Sequence, residues 1–325
     1  MSVDLSTVQL LLGAKLLGAE FTRSLTLGRQ AFYPDEHSLS LALRMAGVEA
    51  DAHCLLQSAK GWSEGFFELL GAQTVDSLDQ SPFEGANIVQ DLNKEIPDSL
   101  RQRFTLVFDG GTLEHVFDFP AALRNCLEMI SIGGWFVQMT PANNFMGHGF
   151  YQFSPEYAYR ALAADSGFEV VAVLLVEAVR GGRWYTVADP VRVGHRVQIT
   201  NRLPMLMCTL AKRTHVAPVL AKLPLQATYQ SVQQTAGRVA QTPRRPSGRQ
   251  RAAELATRYL PPTTERWLRS VLVRSIAQPD CIRRVTAEDV TLGRYVDSAG
   301  GRCGARSSSS LMSLISLIPQ ISLCS

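Results

Sequence analysis

A chain of 325 residues with 46% apolar side chains can bury a sizeable core, as one large domain or two ordinary ones, which excludes disorder throughout. Its formal charge of +3 is too small for a global field toward nucleic acid or an anionic membrane, so any basic partner site has to be local. The six cysteines are scattered, with no CxxC and no histidine at zinc-ligand spacing; they read as buried or incidental thiols in a reducing compartment, and no metal is expected.

The run Val8 to Leu17 is apolar but short, follows Asp4 and is interrupted by Lys15, so residues 1–20 read as a docking helix rather than a leader. No stretch reaches the roughly 18 uninterrupted apolar residues of a membrane helix, and the cytoplasm is the expected location.

From Phe21 to Arg213, short apolar runs alternate with helically spaced segments, the pattern of a parallel sheet wrapped by helices. Residues 23–27 form a first strand that stops at Gly28. Asp35 caps a segment in which Leu39, Ala42, Leu43 and Ala46 share a helical face, although the alternation of Leu39, Leu41 and Leu43 leaves a strand open. A second helix follows Ser63, buries Phe66, Phe67 and Leu70 and stops at Gly71. Residues 74–79, 86–90 and 104–108 are strands two, three and four.

Asp118 and Pro120 open a helix carrying Leu123, Cys126, Leu127 and Ile130, which Gly133-Gly134 stops before strand five at 135–139. Ser154-Pro155 opens the next helix, and a strand follows at 168–175. A last strand lies within 198–210, antiparallel to the one before because no helical pattern separates them. Between them, 180–196 reads as an elaborated loop whose Trp184 and Tyr185 cover the sheet or line a partner or substrate wall. Residues 215–238 and 250–276 read as helical around a linker at 241–248, giving a helical extension over 214–295, and 296–325 reads as a low-complexity tail expected to be disordered. The fold class is thus a doubly wound, mostly parallel α/β sheet with an antiparallel last strand and a helical C-terminal extension.

In such a sheet, ligands bind at the carboxyl ends of the strands, where the strand order reverses. Those ends carry Gly28-Arg29-Gln30, Asp79, Asp91 with Asn93, and Asp109 with Gly110-Gly111. Asp79 stands where a carboxylate meets ribose hydroxyls, while Asp91, Leu92 and the glycines suit an adenine edge.

Asp91-Leu92-Asn93, Phe104 to Asp109, Leu113-Glu114-His115-Val116 and Gly133-Gly134-Trp135-Phe136 to Pro141 resemble the latter half of a class I S-adenosylmethionine-dependent methyltransferase of the type 11 kind. The resemblance covers roughly Leu25 to Leu175. It implies methyl transfer to a small-molecule acceptor, S-adenosylmethionine as cofactor, and cofactor contacts by Gly28, Asp79, Asp91, Leu92 and Asp109. The first motif departs from the family, with one glycine followed by Arg29 and Gln30. Either Gln30 or Arg29 holds the cofactor's carboxylate, or binding has been lost, leaving a non-catalytic nucleoside-binding or protein-interaction module.

Beyond strand five, Asn143 to Ser154 is dense in Asn, Gly, His and aromatics, the composition of a substrate lid. His148 is the candidate general base and Tyr151 the residue that orients it. His115 reads as shaping a turn. The arginines of 238–274 lack interleaved aromatics, so no nucleic-acid partner is expected, and no membrane partner either.

Overall fold

The computed structural model describes residues 2–194, 196–197, 199–227, 229, 276–277 and 281–295. After strand β1 (Ser2–Val3), Asp4 accepts the amide of Thr7 at 2.9 Å and starts helix α1 (Leu5–Leu16). This helix docks on its own domain: Val8, Leu10, Leu11 and Leu12 are fully buried, each worth about 1.5–3 kcal/mol against water. Strand β2 (Arg23–Leu27) ends at Gly28, and β3 (Ala31–Phe32) pairs parallel with β1.

Three helices then cross one face: α2 (Glu36–Met45), α3 (Ala52–Ala59) and α4 (Glu64–Leu69). The open choice in α2 resolves as helix, with Leu39, Ala42 and Leu43 buried while Leu41 faces solvent. Helix α3 has no counterpart in the sequence reading. Asp51 caps it, but only Ala52 is fully buried, so its apolar stripe is thin.

Strands β4 (Thr74–Asp79), β5 (Ile88–Val89) and β6 (Phe104–Asp109) follow, β5 being shorter than expected. Helix α5 (Phe119–Glu128) starts at the Asp118 cap and ends well before the glycines that were to stop it. Gly133 and Gly134 instead lie inside the long strand β7 (Ile130–Asn143), where its register against β6 shifts. A methyl on Gly134 would sit 2.9 Å from the carbonyl oxygens of Thr105 and Ser131, so close strand approach is what requires glycine there.

Helix α6 (Pro155–Ala161) and strand β8 (Phe168–Glu177) come next. The expected loop at 180–196 holds strand β9 (Trp184–Val187) and a short helix α7 (Pro190–Val193). Trp184 and Tyr185 are buried in cores on opposite faces of β9, so they pack the sheet and form no exposed wall. Residues 199–200 are a separate strand, β10 (Ile199–Thr200), and the last long strand, β11 (Met205–Arg213), begins later than expected. Residues 215–226 run without helix. The expected helix at 250–276, the linker at 241–248 and the tail at 296–325 lie outside the described residues, apart from Ile276. That residue begins strand β12 (Ile276–Ala277), which pairs with β10. Strand β13 (Ile282–Val285) and helix α8 (Ala287–Thr291) complete the described chain.

The main sheet has nine strands in the order β13-β9-β8-β11-β7-β6-β2-β4-β5. The run from β5 to β7 is parallel, and β11 is inserted between β7 and β8, antiparallel to both. Alternate residues enter cores on the two faces: Leu106, Phe108 and Val137 pack beneath α1 to α4 and α8, whereas Val107 and Phe136 pack beneath α5. Burial on both faces is why these strands read as continuous apolar runs. The fold is therefore doubly wound, its order reversing at β2, which has β4 on one side and β6 on the other. Among the described residues, no helix is long and apolar enough to cross a membrane.

Candidate functional site

The crevice outside the carboxyl ends of β2 and β6 is the expected ligand position in this topology. Gly28 turns the chain there with φ +67°, its N–H donating to the Leu78 carbonyl at 2.7 Å. Arg29 leaves sideways. Its Nε donates to Glu64 Oε1 at 2.6 Å, one terminal nitrogen donates to the Glu84 carbonyl, and the guanidinium lies 4.2 Å from the centre of the Trp62 ring. Arg29 thus bridges the loops that follow β2 and β4, across the edge where a ligand would enter.

Gln30 folds inward and is buried. Its amide nitrogen donates to the carbonyls of Leu27 at 2.7 Å and Gly28 at 3.3 Å, so it braces the turn. Its Oε1 has no hydrogen-bond partner and lies 2.5 Å from where a Cβ on Gly110 would stand. Gly110 has to be glycine because the Gln30 amide fills the space beside it.

Asp79 is half-buried at the end of β4. One of its oxygens caps the Ser81 amide at 3.1 Å, and the other takes no hydrogen bond among the described residues. Asp91 is turned into its own loop: Oδ1 accepts both the amide and the side chain of Asn93, and Lys94 stands 3.4 Å from Oδ2. The Asn93 bonds hold its carboxyl below the usual range. Leu92 belongs to the core beneath α5, and its carbonyl accepts from Asn125.

Asp109 is fully buried, with Oδ1 accepting from the amides of Gly111, Thr112 and Leu113 and Oδ2 from Gln138 Nε2 at 2.9 Å. It caps the turn after β6. Tyr157 donates to Gln138 Oε1 at 3.3 Å, extending this buried chain. Burial pushes the Asp109 carboxyl up, against the pull of these donors.

That turn also delivers Glu114, which the sequence reading passed over beside His115. Its side chain is 1% exposed. Thr140 Oγ1 donates to Oε2 at 3.3 Å, and His148 Nε2 stands 3.3 Å from Oε1. Burial, and after it repulsion from Asp109, pushes Glu114 up to about 8. His148 is half-exposed, with the His115 ring edge-on to it at 4.8 Å. Burial, then the neighbouring His148, lowers the pKa of His115.

The loop carrying His148 is pinned. The Phe150 amide donates to the Glu114 carbonyl at 2.7 Å, and Gly149, at φ +66°, would place a Cβ 2.8 Å from that same oxygen. Tyr151 donates its hydroxyl to the Phe117 carbonyl at 2.6 Å and stacks on Phe153, so it anchors the loop and the hydroxyl is not directed at His148. Phe117 and Phe150 form an exposed edge-to-face pair beside the site.

No family model and no curated protein matches the chain. Solved structures similar to it include the trans-methyltransferase CalH complexed with SAH. That likeness has 13% identity and a TM-score of 0.34, covering 65% of this chain and 57% of that one, so this chain matches little more than half of that protein's length. An S-adenosylmethionine-dependent methyltransferase of Mesorhizobium loti is similar at 17% identity and a TM-score of 0.28, covering 62% of this chain and 96% of that one. A 1,6-didemethyltoxoflavin-N1-methyltransferase of Burkholderia thailandensis, with its substrate and S-adenosylhomocysteine bound, is similar at 14% identity and a TM-score of 0.32, covering 65% and 80%.

The structure thus gathers Gly28, Arg29, Gln30 and Asp109 around the β2–β6 crevice, with Asp79 on the adjacent strand. Asp91 and Leu92 are committed to a local turn and to the core. Chemically, the strongest feature is a buried carboxyl group facing a half-exposed imidazole, an arrangement that orients the ring.

Proposed function

We propose that the chain transfers a methyl group from S-adenosylmethionine to a small-molecule acceptor. The observation that carries this reading is the Glu114–His148 pair, 3.3 Å apart, on the carboxyl edge that also presents the unshared oxygen of Asp79. In this reading Asp79 holds the ribose hydroxyls, the backbone at Asp91 and Leu92 meets the adenine edge, and the tight turn at Gly28 lies against the amino-acid end. When bound, the cofactor supplies an activated methyl group that an acceptor nucleophile takes in line. The chain's own part is to position the acceptor and remove its proton. Above the raised pKa of Glu114, about 8, its carboxylate accepts from Nε2 and His148 offers Nδ1 as the proton acceptor. Phe117 and Phe150 shield the acceptor from water.

Calorimetry with S-adenosylmethionine and S-adenosylhomocysteine tests this directly. Measurable affinity for both is expected in the parent, with a loss of about tenfold or more in Asp79→Ala, whereas His148→Ala keeps the affinity and slows turnover by about 10²-fold or more. Absence of binding by either compound would overturn the reading.

Arg29 favours a second reading, because it already spans the entrance from Trp62 to Glu84. With that bridge closed, the crevice serves a non-catalytic module that binds a nucleoside or a partner protein. A parent silent toward both compounds, and still silent after Arg29→Ala, would favour the protein-partner form.

A further inference from the structure

One cluster on the carboxyl edge holds more than a proton relay needs. Glu114 Oε1 lies 3.3 Å from His148 Nε2 and 4.0 Å from His115 Nε2. One donor atom from each of the three residues lies within 4.8 Å of the others. Around a tetrahedral zinc ion with bonds of about 2.1 Å, donors stand about 3.4 Å apart. The Glu114–His148 separation already meets that spacing, and the His115 ring would have to move inward to complete the set. The geometry points to a divalent transition-metal site ligated by Glu114, His115 and His148, with its remaining coordination positions open to solvent.

Three features of the surroundings support a built site. Thr140 holds the other carboxylate oxygen of Glu114, which leaves Oε1 turned toward the imidazoles, the kind of orienting contact that metal-bound carboxylates use. The loop bearing His148 is fixed onto Glu114 by the Phe150 amide and by the left-handed turn at Gly149, where no side chain fits. Exposure is graded as an open site requires: the carboxylate is buried, whereas the two imidazoles are 49% and 48% exposed, so an ion enters from solvent and keeps water on its outer side.

A relay between Glu114 and His148 accounts for one imidazole and leaves the second, edge-on to the first, without a role. The donor set of two nitrogens and one carboxylate suits zinc or ferrous iron, and is poor for magnesium or calcium, which prefer oxygen throughout. Sequence spacing hides the trio, since His148 lies 34 residues beyond Glu114. Resting on the transfer reading, ligation would replace the relay: with Nε2 on the ion, Nδ1 of His148 keeps the ring proton, and the ion would activate an acceptor oxygen on its open face, which narrows the acceptor to an oxygen nucleophile; the metal site itself needs no cofactor.

The test uses the full chain, stripped with a chelator and titrated with zinc in a calorimeter, with magnesium as competitor. One zinc per chain is expected, undisturbed by millimolar magnesium, with affinity falling about tenfold or more in His115→Ala and again in His148→Ala. Cobalt in place of zinc should give visible absorption bands that both variants lose. Because Glu114 is buried, the two half-exposed histidines carry the test, with circular dichroism confirming that each variant folds. Zinc bound equally by the parent and the double variant would overturn the site. So would affinity that depends on His148 and is indifferent to His115. Calorimetry of the same samples with S-adenosylhomocysteine separates the two proposals: zinc without nucleoside binding removes the transfer reading alone, and nucleoside without zinc removes the metal site alone.

Discussion

Gly13 in the middle of α1 lies against Val290 of α8 so closely that a methyl group built on it overlaps the Val290 carbonyl oxygen, with the Tyr295 hydroxyl 3.3 Å away. Alanine in a helix interior normally gains about 1 kcal/mol over glycine. Here the neighbour is backbone and cannot rotate aside, and overpacking of this kind costs about 1–3 kcal/mol. Gly13→Ala should therefore lower stability in urea unfolding and speed proteolytic cutting within 281–295. A more stable variant would mean that α8 is not seated on α1.

Arg29 ties the turn after β2 to Glu64 and to the loop after β4. If that bridge gates a nucleoside, Arg29→Ala should raise affinity for S-adenosylhomocysteine severalfold, while Asp79→Ala lowers it. A fall in affinity for Arg29→Ala would instead assign the guanidinium to the ligand's carboxylate.

Asp109 accepts three backbone amides and the Gln138 side chain without access to water. Removing it leaves those donors buried and unpaired, at about 1–3 kcal/mol for each group. Asp109→Ala should cost about 3 kcal/mol or more in chemical denaturation. Asp109→Asn should cost much less, because one oxygen still serves the amides and Gln138 can flip its own amide to accept. Equal losses in the two variants would mean that charge, rather than hydrogen bonding, holds the turn.

The exposed pair His53–Glu36, 3.0 Å apart, links α3 to α2. The hydrogen bond and charge of Glu36 raise the His53 pKa above its ordinary value of 6.5. A raised folded-state value means that the pair's contribution is fully present below the unfolded pKa and disappears as pH rises through the folded one. An NMR titration of the His53 ring should show the raised midpoint, returning toward the ordinary value in Glu36→Gln. Any stability difference between the two proteins should be present near pH 5.5 and absent near pH 8.5.

The parallel half of the sheet was legible because β2 and β6 are largely apolar and all three of β2, β4 and β6 are closed by turn residues, and because Asp35 and Asp118 are caps whose carboxylates do bind the amides they face, as Asp51 does too. Of these caps, Asp51 alone escaped notice, its helix having too thin an apolar stripe to mark it. Strand β9 was hidden by its length of four residues and the glycines and arginines before it; only its ladders to β8 and β13 make it a strand. The carboxyl edge was found, but the direction of each side chain was not. Asp109 turns inward because three amides converge on it, and Leu92 turns inward because the core beneath α5 receives it. Glu114 was the missed residue. A glutamate next to a histidine in a strand-end turn was the available signal, and its meaning depended on a loop 34 residues away.

The placement of β11 between two strands made earlier has a consequence for synthesis. While the nascent chain is shorter than about Arg213, β7 and β8 flank a vacant lane, and each presents unsatisfied amides and carbonyls along its length. A premature stop or a cleavage upstream of Met205 therefore leaves two adhesive edges at once, so such a fragment should precipitate or seek chaperones instead of persisting as a smaller folded protein.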